Sequence, residues 1–288
     1  MKNIGMKFSL WTDNGALNSK PIFSAFADSL RLHGHTVVYN TLGCDIDVIW
    51  SVLWYGRMAG NKDIWDRAQR ENRKVIVLEV GGIKRGHTWK VGINGINREA
   101  CFGSQGNGPE RAELLGLKCK TWKHNNDNGS IVIACQHAQS HQWRNQHTVP
   151  TWAFGCIEEI RQHTNREIIV RPHPRCPITG IEFEFPNVKV QEPVKVPNTY
   201  DDFDFDLTDV YAVVNWSSNP ATQAVLEGIP VFVGPDSLAW DVGNHQLTYI
   251  DNPRMPDRTQ WVNDLAYTEW TIDEISQGLP IKHLTNFL

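Results

Sequence analysis

The sequence predicts an α/β protein of two tandem domains, each built on a doubly wound parallel sheet. Three observations carry this expectation. Short apolar runs alternate with helix-period segments through the first eighty residues. That alternation stops in a glycine- and asparagine-rich region and restarts at Ile131. Between them, residues 211–233 spell strand, hydroxyl-rich turn, short helix and strand, which is one unit of a parallel sheet. A chain of 288 residues with 41% hydrophobic content is long enough for one large domain or two of about 140.

Residues 7–11 read as the first strand, and Thr12-Asp13-Asn14-Gly15 as the turn leaving it. Ser19 is placed to cap a helix with Pro21 in its first turn, where the missing N–H does no harm. Ile22, Phe23, Phe26, Leu30 and Leu32 supply the helix's apolar face, and Gly34 ends it. Residues 36–39 and 47–53 are the second and third strands, 63–72 a helix and 75–80 the fourth strand. Ligands of such sheets sit at the carboxyl ends of strands, where Asp13, Trp54 and Glu79 fall. Residues 81–98 then read as an irregular loop. It is glycine-rich, basic and aromatic, and it holds Lys84, Arg85, His87, Trp89, Lys90 and Arg98. The polar stretch NNDNGS marks a domain boundary at 126–129, giving domains of 1–126 and 127–288. The second domain opens with a strand at 131–134, a helix at 150–163 and a strand at 167–170 that runs into Arg171-Pro172-His173-Pro174. Residues 201–206 (DDFDFD) read as an acidic surface stretch. Trp261, Leu265, Trp270 and Ile275 suggest tail helices packing back on the first domain.

Composition excludes several classes. No apolar run approaches the roughly 20 residues of a membrane span, and the amino-terminal stretch lacks the long apolar core of a signal peptide. Cys44, Cys101, Cys119, Cys135, Cys156 and Cys176 form no CxxC pair, so a reducing cytoplasm is the expected setting, the host's if the chain is viral. His137 and His141 have helical metal-ligand spacing without a convincing acidic or cysteine partner, and no DxD motif stands out, so a metal-independent chemistry is expected. The net charge of −4 divides as +7 over residues 1–125 and −11 over 126–288, which suggests that the first half meets an anionic partner.

Within the second half, Arg171-Pro172-His173-Pro174 directly follows a strand. Ser217-Ser218 precede a short helix ending in Glu227-Gly228-Ile229-Pro230. Together these motifs resemble the capsule-polysaccharide class of GT-B glycosyltransferases, well over residues 131–240 and in architecture alone over the first half. The resemblance implies two Rossmann-like domains facing across a cleft. The first would bind the acceptor and the second a nucleotide-sugar, a UDP-sugar as the working guess, with no tightly bound cofactor. Carried over, Arg171 and His173 would meet the donor diphosphate, with Ser217, Ser218, Asn219 and the amides starting the helix beside them. Glu227 would accept hydroxyls of the ribose or donor sugar. Gln136, His137, Ser140 and Arg144 fall where this fold turns from its first strand toward the donor. Trp216 departs from the family turn, which has smaller residues beside the serines.

An inverting transfer needs a base from the first domain, and the strand-end carboxylates Asp13 and Glu79 are both candidates. The basic first half points to an anionic polymer as acceptor. Size and domain plan are compatible with the phage enzymes that glycosylate hydroxymethylated pyrimidines in DNA. Trp54, Lys84, Arg85, His87, Trp89, Lys90 and Arg98, helped by Lys118, Lys120 and Lys123, would then clamp the nucleic acid. The alternatives are a surface-polysaccharide glycosyltransferase, an epimerase or hydrolase on the same fold, and a non-catalytic sugar- or nucleic-acid-binding protein.

Overall fold

The computed structural model describes residues 5–123, 128–199 and 202–288. In chain order it contains β1 (Lys7–Leu10), α1 (Lys20–Leu32), β2 (Thr36–Tyr39), β3 (Ile46–Trp50), α2 (Asn61–Arg70), β4 (Val75–Val80) and β5 (Thr88–Ile93). Next come α3 (Glu110–Leu114), β6 (Ser130–Ala134), α4 (Val149–Arg161), β7 (Ile168–Arg171), β8 (Val188–Val190), β9 (Val210–Asn215), α5 (Asn219–Leu226) and β10 (Val231–Val233). The chain closes with α6 (Thr259–Leu265), β11 (Glu269–Thr271), α7 (Ile272–Ser276) and α8 (Leu279–Leu284). Among the described residues no helix is long and apolar enough to cross a membrane.

Two compact units result, one formed by Met1–Asn107 with Asp264–Leu288 and the other by Gly108–Asn263. The boundary read at 126/127 falls outside the described residues. Residues 108–123 belong to the second unit, where the Lys120 and Lys123 amides bond Leu226 and Gly228. This changes the charge argument. Counted over the compact units, the first carries 15 Lys and Arg against 13 Asp and Glu, and the second 13 against 19. The +7 of residues 1–125 thus becomes +2 for the first unit.

The first unit holds a sheet of order β11-β5-β4-β3-β1-β2. Strands β1 to β4 pair in parallel, while β5 is antiparallel to both β4 and β11. Helix α1 buries Ile22, Phe23, Phe26 and Leu30 against Phe8, Leu10 and Leu78, joined by Ile275 and Ile281 from α7 and α8. Leu32 is 69% exposed. It lies about 200° around the helix from Leu30, off the buried stripe. Helix α2 covers the other face with Ile64, Trp65 and Ala68. Ser19 does not cap α1 through its side chain; its Oγ donates instead to the Ala16 carbonyl at 2.7 Å.

The region read as an irregular loop contains a full strand, β5. Trp89, Val91 and Ile93 alternate onto the α1 face of the sheet, as period two requires. Gly92 lets the chain turn back at close quarters, since a Cβ there would lie 2.5 Å from the Gly95 carbonyl oxygen.

The second unit holds a fully parallel sheet of order β10-β9-β6-β7-β8. Its strands read as near-continuous Ile and Val because helices cover both faces. Helix α4 packs Val149, Ala153, Ile157 and Ile160 on one face, and α5 packs Ala221, Ala224 and Val225 on the other. Thr148 caps α4 by accepting from the Thr151 amide, and Pro150 sits in the first turn. The DDFDFD stretch is not wholly a surface run. Asp204 and Asp206 are exposed, but Phe205 between them turns inward against the core.

Candidate functional site

The carboxyl ends of β6, β7 and β9 lie side by side in the second unit, with Ala134 in register with Arg171 on one side and Asn215 on the other. From β6 the chain crosses through α4 to β7, and from β9 through α5 to β10, in opposite directions along the sheet. The switch point therefore falls between β6 and β9, where the diverging crossovers open a crevice for ligands in α/β sheets. Gln136, one of the expected donor residues, spans that switch point. Its Oε1 accepts from the Ser217 amide at 3.2 Å and the Ser217 hydroxyl at 2.9 Å. Asn215 laces the same ends by donating to the Ala134 carbonyl at 2.7 Å and Ser218 Oγ at 2.8 Å. Among the described residues, Gln136 Nε2 has no hydrogen-bond partner although Gln136 is only 4% exposed. A buried amide donor in that state has the capacity to take an acceptor oxygen.

His137 and His173 meet edge to face, with ring centroids 5.1 Å apart. Each Nδ1 accepts a backbone N–H, from Gln139 at 3.0 Å and Arg175 at 3.1 Å respectively. In the neutral ring that places the proton on Nε2 and makes it the donor. Burial, reinforced by the charge of Arg175, holds the His137 pKa below the ordinary histidine value, so this ring is neutral at pH 7. Ser218 and Asn219 open α5 half-buried, and Ser218 is extended with no side-chain cap bond. Six of the expected donor residues thus converge on adjoining strand ends: Gln136, His137, Arg171, His173, Ser217 and Ser218. Asn219 follows as the first residue of the helix.

Several expected contacts are placed differently. The Arg171 guanidinium is buried, donates to the Asp204 carbonyl and lies 5.0 Å from the Phe205 ring centroid. The inward turn of Phe205 makes it a clamped structural cation, and desolvation lowers its pKa. Ser217 is buried and its hydroxyl is spent on Gln136, so it straps the crevice. Glu227 stands at the far end of α5, about 13 Å along the axis from Ser218. There it pairs with Lys120. The helix carries it toward the opposite edge of the sheet, away from the strand-end cluster. Ser140 donates to Gln142 Oε1 at 2.6 Å, while Arg144 bonds the His141 carbonyl at 3.0 Å and lies 3.4 Å from Asp236, so both serve the order of their own loop. Trp216 leans away from the serines, with its indole N–H donating to the Gln142 carbonyl at 2.8 Å and its ring over Gly234.

In the first unit, Asp13 is exposed in a one-turn helix just past β1, at that sheet's own switch point between β1 and β3. Glu79 is half-buried and lies opposite Lys90, which in turn lies opposite Glu269, so acid, base and acid share one register across three strands. Lys90 is 2% exposed. Burial lowers its pKa, while Glu269, Glu79 and Glu99 oppose that shift. A buried ammonium cannot reach the phosphates of a polymer, and Trp89 is likewise half-buried against the core. Trp54 packs on Trp65, with centroids 5.9 Å apart. Lys84, His87 and Arg98 are exposed and Arg85 is half-buried. Lys118, Lys120 and Lys123, read as further phosphate clamps beside these, lie on the second unit.

Two residues missed from the sequence organise these regions. The Glu269 carboxylate accepts from the Gly82 amide at 2.7 Å, the Ile83 amide at 3.0 Å and Thr88 Oγ1 at 2.7 Å. It closes the basic turn from 187 residues away, and no local signal could have announced it. Asn215 did leave a signal: a polar residue ends an apolar strand immediately before the serine turn.

No protein-family model matches the chain, and no curated protein matches it by sequence. Solved structures do. The β-Kdo 2,7-transferase of Thermosulfurimonas dismutans KpsC superposes with a TM-score of 0.53 at 15% identity, covering 96% of this chain and 99% of that one. The β-Kdo 2,4-transferase of the same KpsC gives 0.54 at 14% identity, covering 96% and 98%. At this identity the likeness establishes the fold: two Rossmann-like α/β units of the GT-B class.

Proposed function

We propose that this protein is a glycosyltransferase that takes a sugar from a nucleotide-sugar bound on the second unit and attaches it to a hydroxyl of a saccharide acceptor. The observation that carries the reading is the convergence of Gln136, His137, His173 and Ser218 on three adjoining strand ends at the switch point. The Gln136 carboxamide, the two imidazoles and the start of α5 gather hydrogen-bonding groups of a kind suited to phosphate oxygens. The fold shared with two Kdo transferases supports the same class. A saccharide acceptor is favoured over hydroxymethylated DNA because the charge asymmetry that suggested a polyanion shrinks to +2 on the first unit, and Lys90 is buried. In an inverting transfer Asp13, an exposed carboxylate at a strand end, would take the acceptor proton. Glu79 is the weaker candidate because it lies in the register shared with Lys90 and Glu269.

The test is transfer from CMP-, UDP- and GDP-sugars to oligosaccharides, run beside hydroxymethylated DNA. Sugar should appear on an oligosaccharide, and His173→Ala should slow transfer about a hundredfold with an unchanged melting temperature. Labelling of DNA alone would overturn the acceptor. Absence of turnover with every donor would overturn the enzyme reading.

A further inference from the structure

The second unit contains a cavity of about 680 Å³ that the strand-end cluster does not use. Small-molecule sites span roughly 300–1,000 Å³. One wall is a face of α4 running from Thr151 to Glu159; the others are the ends of β9 and β10 and the loop through Trp240 and His245. Four features describe what it would hold.

First, the walls are aromatic and fixed. Trp216 and Trp152 each meet Trp143 edge to face, at 6.0 and 5.5 Å. Trp240 and His245 stack at 3.5 Å with planes 7° apart. Second, Gly155 stands in the middle of α4 with no heavy atom within 4 Å of where its Cβ would be. Glycine there costs about 1 kcal/mol of helix stability against alanine, and what the helix gains is open space facing the cavity. Third, both amide hydrogens of Asn215 are committed, to Ala134 and Ser218, while its Oδ1 has no partner among the described residues although Asn215 is 1% exposed. With that oxygen shut off from solvent, Asn215 is a fixed part of the cavity wall and gives it no free donor. Fourth, among the described residues the lining includes no Lys or Arg, and its one carboxylate is Glu159. An anionic ligand would meet no permanently charged cation there, only the imidazoles of His147 and His245.

We propose that this cavity is a saccharide subsite for a neutral pyranose ring. Its apolar face would lie on an indole of Trp152 or Trp216, with its hydroxyls turned to the polar rim. The exposed carboxamide and hydroxyl groups on the rim, from Gln246 and Thr248, suit the many O–H groups of a sugar. Under the function proposed above, and resting on it, the subsite would seat a neutral residue of the acceptor chain.

Binding is tested on the full chain, without turnover, by saturation-transfer NMR and tryptophan fluorescence. The probes are cellobiose, lactose and chitobiose, with adenosine as the flat heteroaromatic control. At least one disaccharide should bind, and Gly155→Met, which grows a side chain into the space, should weaken it about tenfold. CMP and UDP binding should stay unchanged. Trp152→Ala provides a second variant should Gly155→Met unfold α4, with folding checked by circular dichroism. Failure of all three disaccharides to bind, or binding unaffected by the variants, would overturn the proposal. So would adenosine binding more tightly than every disaccharide and weakening with the same substitutions. Loss of CMP or UDP binding in the wild type would count against the transferase reading and leave the saccharide result standing.

Discussion

The two units carry sheets of the same class but use their carboxyl edges differently. In the second unit, all five strands run parallel and three strand ends deliver side chains to one switch point: Gln136, His173 and Ser218 among them. In the first unit, β5 and β11 add an antiparallel margin, and the polar groups there face each other: Glu79, Lys90 and Glu269 share one register and Glu269 ties down the glycine turn. One edge gathers hydrogen-bonding side chains at a switch point, and the other spends its charges on internal order. Basic residues in a glycine-rich stretch therefore do not by themselves mark a binding surface. Where the opposing charge comes from decides their role.

The largest effect expected from breaking this contrast is at Glu269. Glu269→Ala removes a carboxylate that offsets the burial of the Lys90 ammonium and strips three donors of their acceptor. It should destabilise the first unit by about 3–5 kcal/mol, read by urea unfolding, with Glu269→Gln recovering part of the loss. A result within experimental error of wild type would show that the register of charges is not structural. A smaller cost is expected at the other edge. Gln136→Ala removes the acceptor shared by the buried Ser217 amide and hydroxyl, for about 1–3 kcal/mol. It should weaken nucleotide binding at the same time, whereas Glu269→Gln should leave nucleotide binding intact.

The mildest effect is that of pH. Burial sets the folded pKa of His137 below the unfolded value near 6.5. Between those two values the unfolded chain binds more protons than the folded one, so stability rises with pH across that window and is lost as pH falls through it. His35, also lowered by burial, adds to the loss in the first unit. Melting curves from pH 7 to pH 5 should shift downward. His137→Gln should flatten the part of that slope that belongs to the second unit.

The motifs that proved legible are local. Arg171-Pro172-His173-Pro174 after a strand and Ser217-Ser218 before a short helix are consecutive residues whose backbone path follows from apolar runs and turn chemistry, so their meeting at neighbouring strand ends could be anticipated. Glu227 misled because a sequence interval of ten residues says nothing of direction; an eight-residue helix moved it away from the serines. Arg171 misled because its partners, Asp204 and Phe205, come from a distant loop.

What the sequence by itself determined is the α/β class, most of the parallel strands, the helices between them and the two polar turns that end β7 and β9. Short-range periodicity and steric rules govern these. Tertiary structure alone decided that β5 is a strand, because its partners are β4 and a segment some 180 residues further on. It also decided where the units divide, and therefore on which unit Lys118, Lys120 and Lys123 lie. The same holds for the burial of Lys90 between carboxylates. Burial and charge pairing depend on which distant segments the fold brings together, and that information is not carried by any window of neighbouring residues.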